Sequence, residues 1–143
     1  MFCYRPKEIR KFLATVFSLT AFSIQSPIHA QSLKELRSQD AEEAQLNQEI
    51  SYTSTICGRP ISANIDWKSA ADWPDDVSLA AACDSALSAL EAACRTDQTL
   101  VVTKFICAGD ASGALLSGST LRYGAAPGAN GFSITKSYLE RLR

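Results

Sequence analysis

Cys57, Cys83, Cys94 and Cys107 constrain this chain more than any other feature, because the segment between the middle two reads as a helix. Leu79, Cys83, Leu87, Leu90 and Cys94 follow one another at steps of four, four, three and four, which is one apolar stripe at helical period. Cys83 and Cys94 then share a face but lie about 16 Å apart along the axis, at 1.5 Å per residue. A disulfide needs Cα atoms within roughly 7 Å. The two cysteines of the helix therefore cannot bond each other, and each must reach another element. A four-cysteine zinc site is the competing reading, but it favours close C-x-x-C pairs, and the spacings here are 26, 11 and 13. Two disulfides are expected, and no metal site.

The flanking segments rank the pairings. Ile61 to Trp67 alternates Ile61, Ala63, Ile65 and Trp67 with Ser62, Asn64 and Asp66, the period of a strand. Thr99 to Ala108, with Leu100, Val101, Val102, Phe105 and Ile106, is a second. A strand–helix–strand order favours a parallel pair joined by a right-handed crossover. The helix over Val77–Arg95 then runs antiparallel to both strands. Its end, Cys94, meets the start of the first strand at Cys57, and its beginning, Cys83, meets the end of the second at Cys107. The expected pairs are Cys57–Cys94 and Cys83–Cys107, each contributing about 2–4 kcal/mol by restricting the unfolded chain.

Disulfides imply an oxidising compartment, and the N-terminus agrees. Arg5, Lys7, Arg10 and Lys11 precede an apolar run of thirteen residues, Phe12 to Ile24, then Pro27 and Ala30. A basic segment, a short apolar core and a small residue at the cut make a secretory signal over residues 1–30. The run is shorter than the roughly 20 residues needed to span a bilayer, so no stable membrane anchor is expected after cleavage. A periplasmic or secreted location follows. Gln31 to Arg143 is then a single domain with ten basic and fourteen acidic residues. That balance argues against nucleic acid as a partner.

The remaining elements read as follows. Residues 31–53 form a polar N-terminal segment with a helix from about Asp40 to Tyr52, its first turn acidic as the helix dipole prefers. Asp76 or Ser78 caps the central helix. Gly109 to Gly118 is a loop, and Ser119 to Gly124 is a strand with Leu121 and Tyr123 on one face. This strand pairs with Thr99–Ala108 as an antiparallel hairpin. Ser133 caps a last helix over Ile134–Leu142, facing inward through Ile134, Tyr138 and Leu142. The fold class is α+β: a small three-stranded mixed sheet covered by helices, in the order α-β-α-β-β-α.

Missing residues exclude most catalysis. The only histidine, His29, lies in the signal segment, so Ser-His-Asp and Cys-His mechanisms are unsupported. Paired cysteines leave no thiol nucleophile, and there is no C-x-x-C redox motif. Gly113 to Gly118 has phosphate-loop spacing, but Ser119 stands where that motif needs lysine. No cofactor is implied. Carboxylates are the one catalytic class with enough members: Asp66, Asp72, Asp75 and Asp76 crowd one segment and could serve glycan hydrolysis as a pair. Helix capping accounts for Asp75 and Asp76 more simply.

Asp66-Trp67 and Asp72-Trp73 repeat a dipeptide at a spacing of six. Tryptophan concentrates binding energy, so two near one loop suggest a platform for a sugar or a protein. Trp67 also continues the inward face of the first strand, whereas Trp73 precedes Pro74 in the loop and is the first choice for a contact residue. The sequence thus points to a non-catalytic binding module of the cell envelope whose partner is a protein or glycan. Its contacts are expected at Trp73, Asp72 and Trp67, with Arg122 and Tyr123. A carboxylate-dependent glycan hydrolase and an inhibitor of a secreted enzyme are the alternatives.

Overall fold

The structure, a computed structural model, describes residues 33–142. The signal reading of residues 1–30 lies outside them. Seven elements follow in order: α1 (Leu33–Cys57), β1 (Ser62–Asp66), α2 (Leu79–Thr96), β2 (Lys104–Ala108), β3 (Gly113–Ser117), β4 (Thr120–Gly124) and α3 (Gly131–Glu140). The four strands form one sheet in the order β1-β2-β4-β3. β1, β2 and β4 are parallel, and β3 runs antiparallel to β4.

The α+β class holds, but the sheet has four strands where three are expected. The additional strand, β3, lies inside Gly109–Gly118. Glycines with positive φ at Gly113 and Gly118 bracket it, so its apolar residues resemble the filling of a loop. Its central Leu115 is 57% exposed, so it lacks the inward stripe that marks a buried strand. β3 also changes the pairing. The hairpin is β3–β4, closed by Gly118-Ser119 with Ser117 opposite Thr120. Because β3 reverses the chain first, β4 runs in the same direction as β2 and pairs with it in parallel instead of forming the expected antiparallel hairpin.

The crossover through α2 joins β1 and β2 in parallel, as the cysteine geometry requires. Cys57–Cys94 has its Cα atoms 5.0 Å apart and Cys83–Cys107 has them 5.9 Å apart. α2 is the hub of the core. Ala80, Ala86, Ala89 and Ala93 are buried along with Leu79, Cys83, Leu87 and Leu90, so its apolar surface is wider than one stripe. The small residues let α1 and α3 both pack against α2. Under the helices lie Phe105 and Cys107 of β2 and Leu121 and Tyr123 of β4, all buried. The opposite face of the sheet carries Ser62, Asn64 and Lys104, all exposed.

Each outer helix departs from expectation. α1 begins at Leu33 and runs to Cys57, but only Leu46, Ile50 and Thr53 are buried, which explains its weak stripe. α3 starts at Gly131 and is capped by Asn130, whose side-chain oxygen accepts from Ser133 N at 3.0 Å. Its buried row is Gly131, Thr135 and Leu139, while Ile134 and Leu142 are 40% and 52% exposed. Two rows at steps of four compete on this helix. Gly131 decides between them, because any side chain there would collide with Ser85 and the Tyr123 hydroxyl. Tyr138 lies at the seam: its hydroxyl accepts from Leu116 N at 2.9 Å, on the edge strand β3.

Candidate functional site

Register aligns Asp66, Ala108 and Gly124 at the carboxyl ends of the three parallel strands. Open α/β sheets commonly bind ligands outside this end. The segment after β1 is folded there by short turns. Ser69 Oγ donates to Asp66 O at 2.6 Å and accepts from Gly109 N at 3.0 Å, which ties the segment to the end of β2. Gly109 allows a close approach here, since a Cβ would lie 3.0 Å from Ala70 Cα and 3.1 Å from the Trp73 ring, and both would have to shift to admit it.

This segment and the first turns of α1 enclose a cleft of about 380 Å³, within the range of small-ligand sites. One wall is Glu35, Ser38, Gln39 and Glu42 of α1; the other includes Trp67, Lys68, Trp73 and Asp75. Trp67 Nε1 donates to Glu43 Oε1 at 2.8 Å, and Trp73 Nε1 donates to Val77 O at 2.8 Å. Both rings are half-buried and fixed at their polar tips. Beside the cleft, Ser78 Oγ accepts from Ala81 N at 3.1 Å, so Ser78 and not Asp76 caps α2. Glu42 completes the cap from α1: its Oε2 accepts from Ala80 N at 2.7 Å and from Ser78 Oγ at 3.0 Å.

The expected contact residues therefore separate. Trp67 and Trp73 share the cleft. Asp72 is exposed and lies outside its lining. Arg122 belongs to the helix-free face of the sheet, and Tyr123, its strand neighbour, points the other way and is 1% exposed. Tyr123 is a core residue and contributes no surface; burial pushes its hydroxyl pKa up. The α1 wall was missed. Its signal was the spacing 35, 38, 39, 42, one face of a helix.

Arg122 builds a different structure. Its Nη2 meets Asp110 Oδ2 at 2.5 Å and Asp66 Oδ2 at 3.6 Å, while Nη1 donates to Asp110 Oδ1 at 3.2 Å and Ser112 Oγ at 2.7 Å. The guanidinium and the Ser112 hydroxyl hold the Asp110 carboxyl well below the usual carboxylate range. This network joins β1 and β4 to the β2–β3 turn. It also engages Asp66, so of the four aspartates that crowd this segment in sequence only Asp75 lines the cleft.

Among the described residues no group of three or more His, Cys, Asp or Glu is arranged to hold a metal ion, and no helix is long and apolar enough to cross a membrane. Compared with known protein families, curated proteins and solved structures, the chain matches none of them.

Proposed function

We propose that this chain is an exported, non-catalytic binding module of the cell envelope, and that the cleft holding Trp67 and Trp73 is its contact site. One observation carries the reading: the two tryptophans of the chain both line a single cleft at the carboxyl end of the parallel strands. Two disulfides suit an oxidising compartment. The hydrolase alternative draws less support: Asp66 is engaged by Arg122, Asp72 and Asp76 lie outside the cleft lining, and Glu42, which lines the cleft with Asp75, is tied to the start of α2.

The test is crosslinking in the native host together with a glycan array, using wild type, Trp73→Ala and Arg122→Ala. Capture of a protein or glycan that is lost in Trp73→Ala and kept in folded Arg122→Ala supports the reading. Equal capture by wild type and Trp73→Ala overturns it. N-terminal sequencing of the exported protein should begin at Gln31.

A further inference from the structure

We propose that the cleft takes a cation, an alkylammonium or guanidinium group carried on a flexible chain. This rests on the cleft being the binding site.

The charge of the lining is the first reason. Glu42 and Asp75 border the cleft together with Glu35, and among the described residues of its lining Lys68 is the one opposing charge. The indoles are the second. Their N–H groups are spent on Glu43 and on the Val77 carbonyl. What Trp67 and Trp73 can offer a ligand is ring surface, whose negative face attracts cations within about 6 Å.

The third reason is how the fold treats the start of α2. A helix N-terminus with free N–H groups attracts anions. Here Ala80 N is taken by Glu42 and Ala81 N by Ser78. A carboxylate of the chain itself fills the place where an anionic ligand would gain most, and its charge remains beside the cleft. Size is consistent: about 380 Å³ suits one amine or one long basic side chain better than several sugar rings.

Because the chain has only two tryptophans and both line the cleft, fluorescence excited selectively in tryptophan reports on this place, free of the tyrosines, none of which is among the described residues that line it. The purified protein is titrated with choline, spermidine and tetralysine, and separately with chitotriose and citrate, at low and high sodium chloride. The expected result is a saturable change with at least one cation, weakened by salt. Binding should be about two- to fivefold weaker in Asp75→Asn, as the loss of one exposed ion pair implies, and unchanged in Glu140→Gln on α3. Choline or spermidine alone would identify a free amine, and tetralysine alone a basic peptide. Saturation by chitotriose or citrate without any cation response overturns the cation proposal but leaves the cleft as a binding site. Silence with every cation overturns the cation proposal, and silence with every probe together with capture independent of Trp73 overturns both.

Discussion

Glu42 and Ala80 join two helices through a single carboxylate: Glu42 Oε2 accepts the Ala80 backbone N–H at 2.7 Å across 38 residues of sequence. The same oxygen accepts from Ser78 Oγ, so the start of α2 is satisfied partly from α1. Negative charge there also suits the helix dipole. Glu42→Ala should lower stability by about 1 kcal/mol, typical of a lost cap. Thermal unfolding should then shift down by about 4 °C. Glu35→Ala, on the same wall but in the exposed first turn of α1, should shift it less.

Thr135 and Thr53 are both fully buried and should respond oppositely to valine. Thr53 Oγ1 donates to Glu91 Oε1 at 2.8 Å and approaches Glu49 O at 3.1 Å. Among the described residues Thr135 Oγ1 has no hydrogen-bond partner. Burying an unsatisfied hydroxyl costs about 1–3 kcal/mol. Thr135→Val should therefore raise the urea midpoint, and Thr53→Val should lower it. A lower midpoint for Thr135→Val would mean that the hydroxyl is satisfied in solution.

Two carboxylates should bend the pH dependence of stability in opposite directions. Glu49 is pushed up by burial and then by the charge and hydrogen bond of Asp84. A carboxyl raised on folding favours the native state at low pH and loses that advantage as pH rises through its folded value. Glu49→Gln should stabilise near pH 7 and gain little near pH 4. Asp110 is held down by Arg122 and Ser112. Its contribution is present above the ordinary aspartate value and is lost as pH falls through the depressed one. Asp110→Asn should cost about 1 kcal/mol near neutrality and progressively less in strong acid. Denaturant melts across pH for both variants check the two signs.

The disulfides differ in access. Cys83 and Cys107 are fully buried, whereas Cys57 and Cys94 are only half-buried, beside Arg59 at the other end of α2. Exchange requires a thiolate to reach the sulfur. Under a mild reductant, timed alkylation and mass spectrometry should find Cys57 and Cys94 modified first. Cys83 and Cys107 should stay protected until the protein unfolds.

The legible parts of this molecule were those set by distance and period. The stripe on α2 fixed the separation of Cys83 from Cys94, and the connectivity followed. Strand alternation likewise placed Ile65 and Leu121 inward. Yet the same rule forbids Arg122 and Tyr123 from sharing a surface, since successive strand residues face opposite ways. β3 was hidden because an edge strand needs no apolar alternation. The face of α3 was hidden because close packing at Gly131, not hydrophobicity, selects its row. The cleft was half visible: its tryptophans stand out by type, but its acidic wall is brought from 25 or more residues away by the fold, as Glu42 and Trp67 show.

The hydroxyl of Tyr138 on the Leu116 N–H has a consequence for behaviour in a crowded solution. β3 is one of the two outer strands of the sheet, and outer strands are templates on which other chains can add and begin aggregates. Here one outward-facing donor is already occupied by a side chain from α3, so an incoming strand would first have to displace it. The last helix thus guards this edge at one point against unwanted extension.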